Sequence, residues 1–457
     1  MRGACPHVSI HGVVRVEVAH VPEVHGRRAL AAAAGNATTA ARFVYAIGGD
    51  NGTDSKPTAT VEAAPTALNG DLGTFFALAT SLPKALSFQG VGLIGRFIYA
   101  VGGFDGAAAV KDVYRSEILN PLAAPQVTDA DVRYSATTGL GAGTYTYRVS
   151  AVLGATDANN PGGETLASDF FPIQLPAAGQ GAGKLQVYIY WAAIPGAQSY
   201  RIYRSPKAND PAGKELLVGT VPATVLPLRF LDDGTVTPAG AAALPLGSTG
   251  VWRQIVSLNT ARIAPGVGVA QDPTDGTKYY VYAVGGNSGT LAAPTPLTSI
   301  EFLPVTVMNN GTAQVFTTWT AATSALGKAC WALSALPATS ANNSVVTSPT
   351  DTYLYAASGS TSSLTNLEGL VEVAKVQAGG QLGAFTDARS AGTGIKRPGY
   401  GGALVNNQLM AFGGFQGGAA VNNSDTATLS SATSLGAFNA LGNGTMKFPR
   451  ALQGTAI

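Results

Sequence analysis

Hydrophobic positions along this chain fall in short runs separated by Gly, Asn, Ser and Thr, the pattern of many short strands joined by tight turns. In VVRVEVAHV (13–21) the alternation is strict: Val14, Val16 and Val18 would face one side of a sheet, Arg15 and Glu17 the other. TYTYRVSAV (144–152) alternates in the same way. No window approaches the roughly 18 consecutive apolar residues of a membrane helix. The pattern predicts an all-β chain without membrane insertion.

One strand pattern recurs five times, as RFVYAIGGDNG (42–52), RFIYAVGGFDG (96–106), YYVYAVGGNSG (279–289), TYLYAASGSTS (352–362) and QLMAFGGFQGG (408–418). Each joins an apolar run to a pair of small residues, a Gly-Gly beginning at Gly48, Gly102, Gly285 and Gly413 and Ser358-Gly359 in the fourth. A glycine pair lets the backbone turn or approach a neighbour where a Cβ would clash. Between the copies lies a second signature, G-x-L-G-x-aromatic, ending at Phe75, Phe385 and Phe438, with looser forms at Trp252 and Phe316. A third follows, a small residue or Pro, a cation and an apolar run: PKALSFQGVGLIG (83–95), NTARIAPGVGVA (259–270) and PRALQGTAI (449–457). Each unit therefore supplies four short strands, and four-stranded sheets repeated about an axis make a β-propeller.

These repeats resemble kelch motifs, in the variant with a G-x-L-G-x-aromatic step found in surface proteins of bacteria and their viruses, over roughly residues 27–121 and 246–457. The resemblance implies a kelch-type propeller. Six blades are expected, because PRALQGTAI opens a sixth unit and the strand at 13–21 belongs to none, so the last blade would be shared between the termini. The alternative is an incomplete propeller whose open edge pairs with a partner.

The interval between Gly102 and Gly285 is far longer than the others, and excising 122–246 joins YRSEILNPL to LPLGSTGVW as an ordinary unit. The expected organisation is thus propeller 1–121, insert 122–246, propeller 247–457. Within the insert, Trp191, the YRIYR strand with Tyr200 and Tyr203, and the YTYRV strand with Tyr145 and Tyr147 resemble a fibronectin type III sandwich. The YTYRV strand, late in that family, comes first here, so the module reads as circularly permuted.

Composition sharpens the picture. The 457 residues hold 57 Gly but only 12% charged residues, and 28 basic against 26 acidic residues leave +2. Such a balance offers no footprint for nucleic acid or an anionic membrane. The first 30 residues lack the basic start, apolar block and small-residue cleavage site of a secretory signal, so an extracellular, cell-surface or virion location would be reached by another route or by release with a particle. Cys5 and Cys330 suggest two unrelated thiols.

No catalytic constellation emerges. All four histidines, His7, His11, His20 and His25, precede the repeats, which leaves Ser-His-Asp, Cys-His and copper-oxidase chemistry without a base or ligand in the repeat body. The N-terminal histidines have the atoms for a zinc site, but exposed His is ordinary in the turn-rich strand region of His7 and His11; DNGTD (50–54) and DPTDG (272–276) space oxygens as a calcium loop does but lack its terminal Glu, so calcium is considered and no cofactor is assigned. Carboxylates on the loops after the diglycines, Asp50, Asp54 and Asp105, are those a carbohydrate-active enzyme would need, although Asp-Gly and Asn-Gly are also what tight turns demand. Phe104 and Phe415 follow a diglycine into a loop, where an apolar side chain is less expected. The resulting expectation is a non-catalytic structural or adhesive surface protein, such as a tail or decoration protein of a virion. Its loops at Asp50, Asn51, Phe104, Asp105, Asn287 and Phe415 would contact a surface glycan or neighbouring subunits in a larger assembly. A carbohydrate-active propeller enzyme is the competing reading.

Overall fold

The computed structural model describes residues 29–37, 41–50, 56–154, 157–177, 184–308, 313–362, 369–389, 395, 397, 399–416, 419–441 and 446. The strand expected at 13–21, the segment 449–457, Cys5, the four histidines, Asn51 and Asp54 lie outside them. The chain is all-β and divides into two compact units: one drawn from Met1–Asn36, Ala41–Ser116 and Trp252–Ile457, the other from Ala37–Ala40 and Glu117–Val251.

Among the described residues the first unit holds five antiparallel sheets of at least four strands, each laid down in chain order. They open with Ala31–Asn36, Gly90–Ile94, Gly266–Gln271, Ser334–Thr339 and Gly401–Val405. The second strands are Arg42–Ile47, Phe97–Val101, Lys278–Val284, Thr352–Ala357 and Gln408–Phe412, and these carry the five sequence repeats. The first strands touch in succession, first sheet to second, second to third, third to fourth and fourth to fifth. Among the described residues no sheet closes on itself.

Small residues permit that close stacking. A Cβ on Gly90 would stand 2.2 Å from the Val267 side chain of the third sheet. Tyr45, Tyr99, Tyr282 and Tyr355 of the second strands are fully buried. Three of their hydroxyls reach the following sheet: Tyr99 bonds Gln314, Tyr282 donates to Gly380 O at 2.9 Å and Tyr355 to Ala432 O at 2.6 Å. The aromatic positions of the second sequence signature are less uniform. Trp252 is buried, but Phe75, Phe316, Phe385 and Phe438 are half-buried at the margin, and Leu382 and Leu435 of the same motif go deeper.

The diglycines lock one sheet to the next. Their first residue bonds within its own sheet, as Gly48 N to Thr60 O (3.0 Å) and Gly285 N to Ser299 O (3.1 Å). The second donates onward: Gly49 N to Leu86 O, Gly103 N to Arg262 O and Gly286 N to Cys330 O, each 2.8 Å. Both positions need positive φ, 57° and 99° at Gly285 and Gly286. Ser358 takes the same left-handed conformation at φ 73° and donates its hydroxyl to Arg397 O at 3.1 Å.

The second unit is a sandwich. One sheet runs Phe171–Leu175, Gly143–Val152, Ser199–Arg204, Leu216–Pro222; the other Arg229–Asp232, Lys184–Trp191, Val127–Ser135. Alternate residues Tyr145, Tyr147 and Val149 of one sheet and Val187, Ile189 and Trp191 of the other meet in its core. Tyr147 and Arg204 both bond the buried Asp232 carboxylate. The sequence reading missed two strands. Phe171–Leu175 is short, and Val127–Ser135 is mostly exposed, so VTDADVRYS carries no clean apolar alternation. Since Val127–Ser135 precedes it, the YTYRV strand is second in the sandwich, not first.

Candidate functional site

The turns leading into the first strands and the loops after the diglycines are the candidate site of the first unit. Four of these turns place a non-glycine residue at left-handed φ two positions before the strand: Ala29 (51°), Phe88 (56°), Ala264 (47°) and Ala332 (56°), with Gly399 (69°) the fifth. They are bonded in series: Phe88 N to Ala29 O at 2.9 Å, Ala264 N to Phe88 O at 2.8 Å, Ala332 N to Ala264 O at 3.0 Å. Left-handed alanines cost about 1 kcal/mol each, and here the strained backbone is held by these bonds across successive sheets.

Behind the turns lies a cavity of about 450 Å³ lined by residues of all five first strands. Its wall is mostly Gly, Ala, Val and Leu, with Gln89, Ser334, Asn342 and Tyr400 as polar side chains, and among the described residues no Asp, Glu, His, Lys or Arg lines it. Gln89 donates to Ile47 O at 2.6 Å, and Asn342 donates to Pro337 O at 3.1 Å. Burial raises the Tyr400 pKa far above the neutral range.

Charge is spent in the walls behind it. Arg262, fully buried two residues before Ala264, pairs with Glu301 at 2.9 Å and donates to Gly285 O at 2.5 Å and Ser299 O at 2.8 Å. Glu301 also accepts from the Asn259 and Thr260 N–H groups at 2.6 and 3.0 Å. Burial lowers the Arg262 pKa and Glu301 opposes that shift. Arg397, two residues before Gly399, pairs with Asp425 in the same way. At the corresponding place in the fourth sheet stands Cys330, and Glu372 accepts from Gly327 N at 3.1 Å. Burial raises the Glu372 pKa. Of the described cations in the third sequence signature only Arg262 marked this position, since Lys84 stands four residues before Phe88 and pairs with Asp105; the acidic partner of Arg262, two strands later, has no local signal.

The loop residues singled out from sequence divide into two groups. Asp50 and Asn287, at the same position after their diglycines, are buried, at 3% and 0% exposure. The Asn287 amide is consumed inside its loop, donating to Thr290 O at 2.9 Å and accepting from Gly289 N and Thr295 N at 2.8 and 2.6 Å. Asp105 caps its turn by accepting from Ala107 N and Ala108 N and pairs with Lys84 at 2.7 Å. The Lys84 bond, with those N–H groups, holds its pKa at about 2. Phe104 is half-buried and packs, as Phe88 and Leu291 do, against the buried cluster of Ile263, Trp331 and Ala332, which the sequence reading did not assemble. Phe415 opens a two-residue hairpin strand.

The calcium-like DPTDG turn uses its oxygens internally. Asp272 accepts from Thr274 and Asp275 N–H groups at 2.7 and 3.1 Å and, through its other oxygen, from Tyr280 OH and Gly379 N at 2.5 and 2.9 Å. Burial works to raise its pKa, but the bonds from Tyr280, Thr274 and Gly379 outweigh it and hold the carboxyl below the usual range. Among the described residues no group of three or more His, Cys, Asp or Glu side chains is placed to hold a metal. No protein-family model and no curated protein matches this chain.

Proposed function

We propose that this chain is a non-catalytic structural or adhesive surface protein, built on a kelch-type propeller with an inserted fibronectin-like sandwich, which contacts a surface glycan or neighbouring subunits through its loops. The observation that carries the reading is the use of polar groups. The first strands of five meander sheets line a cavity where no acid, base or cation is found among the described residues, while the loop carboxylate of Asp105 and the amide of Asn287 serve the loops themselves. Such loops present backbone and half-buried aromatic surface, Phe104 and Phe415 included, suited to contact rather than to bond cleavage. In this reading a sixth blade, shared between the terminal segments, completes the ring between the first and fifth sheets.

A panel of surface glycans incubated with the full chain, read for both binding and hydrolysis, tests the assignment. Retention of intact glycan or of partner subunits, weakened in Phe104→Ala and Phe415→Ala, is the expected result. Glycan hydrolysis abolished by Asp50→Asn and by Asp105→Asn would replace this reading with a carbohydrate-active enzyme.

A further inference from the structure

The Val127–Ser135 strand of the sandwich is an edge: it pairs with Lys184–Trp191 on one side, and among the described residues no strand pairs with its other side. An edge of nine residues is a template for strand addition. Its Ala130 N–H is taken by the Asp129 side chain at 2.8 Å instead of by a neighbouring strand. By the alternation of a strand, Val132 and Tyr134 turn their backbone groups the same way.

The register places Ala130, Val132 and Tyr134 opposite Ile189, Val187 and Leu185, which are core residues. Yet Val132 is 39% and Tyr134 71% exposed, so the apolar row of the sandwich runs uncovered to this edge. On the other face stand Asp129, Asp131 and Arg133, with Arg133 bonded to Asp131 at 2.8 Å and lying 4.7 Å over the Tyr188 ring.

We infer that this edge pairs antiparallel with the same edge of a second copy of the chain, about a two-fold axis at Val132. In that register Asp131 of each copy faces Arg133 of the other, Val132 meets Val132, and Ala130 meets Tyr134, covering the open apolar row. A two-fold axis normal to the sheet keeps each face on its own side. The neighbouring register centred on Asp131 sets that carboxylate against itself, and the one centred on Arg133 opposes two guanidinia. The charges that would guard an edge against unspecific pairing here select one self-complementary register. This pairing does not depend on what the loops of the first unit bind.

Sedimentation of the full chain over a range of concentrations should show a monomer–dimer equilibrium on the order of micromolar or weaker, as expected for an interface this small. Asp131→Arg and Arg133→Asp should each weaken it at least tenfold. An equimolar mixture of the two variants should recover association, because each supplies the charges the other lacks. Val132→Cys should oxidise to a covalent dimer, since paired positions at the axis lie roughly 5.5 Å apart, whereas Thr128→Cys should not. A full chain that stays monomeric, a mixture that fails to associate, or cross-linking equal at 128 and 132 would each overturn the inference.

Discussion

Replacing Arg262 by Met tests whether a buried ion pair secures the third sheet. Methionine fills much of the same volume without a donor, so the variant removes bonds more than packing. Four are lost: those to Gly285 O, Ser299 O, Ser299 Oγ and Glu301 Oε1, between 2.5 and 2.9 Å. Breaking a buried pair by deleting one partner costs about 3–5 kcal/mol, because the remaining charge is left buried. Glu301 keeps its two N–H donors from Asn259 and Thr260, which places the expected cost near the lower end of that range. Glu301→Gln in the Arg262→Met background removes the stranded charge, so the double variant should be less destabilised than the sum of the singles, with a coupling of about 1–3 kcal/mol. Urea unfolding followed by tryptophan fluorescence is the assay, since Trp252, Trp319 and Trp331 all lie in the first unit and are buried. An Arg262→Met variant within about 0.5 kcal/mol of the parent, below the ordinary effect of a core substitution, or strictly additive effects, would refute the reasoning.

Three further outcomes are expected. Gly285→Ala should cost about 2–4 kcal/mol, since its Cβ would lie 2.4 Å from Cys330 O at φ +57°, whereas Gly95→Ala, at φ +58° in open space, should cost about 1 kcal/mol from strain alone; equal melting temperatures would contradict this. Tyr282→Phe should lose about 1–2 kcal/mol by leaving the Gly380 carbonyl without its donor, measurable in the same urea titration. Burial raises the folded-state pKa of Glu372, so its protonated form is favoured by folding. Its contribution is therefore fully present below the unfolded carboxyl pKa of about 4.3 and is lost as pH rises through the higher folded value. Glu372→Gln should flatten that part of the stability–pH profile, and an unchanged slope would show that another group is responsible.

Much of the first unit was legible because its repeat uses chemistry that few other arrangements need. A buried tyrosine at Tyr45, Tyr99, Tyr282 and Tyr355 followed by residues at positive φ leaves a trace in sequence, since only small residues suit the second position. The cation Arg262 before the third sheet was visible too, but its partner was not: Glu301, like Glu372 in the fourth sheet, lies in a different strand from the turn it caps, and spacing does not report such pairing. Asn287 was read as a loop residue available for contact because a turn-forming amide satisfied by its own loop and one facing solvent have the same local sequence. The Val127–Ser135 edge escaped because strand periodicity reflects burial, and this strand is largely exposed.

A three-dimensional image of the full chain by single-particle electron microscopy tests the central claim most directly. Six radial sheets about one axis are predicted, the sixth filling the place between the Gly401–Val405 and Ala31–Asn36 strands. A ring of five or seven sheets, or an arc left open between those two strands, would contradict it.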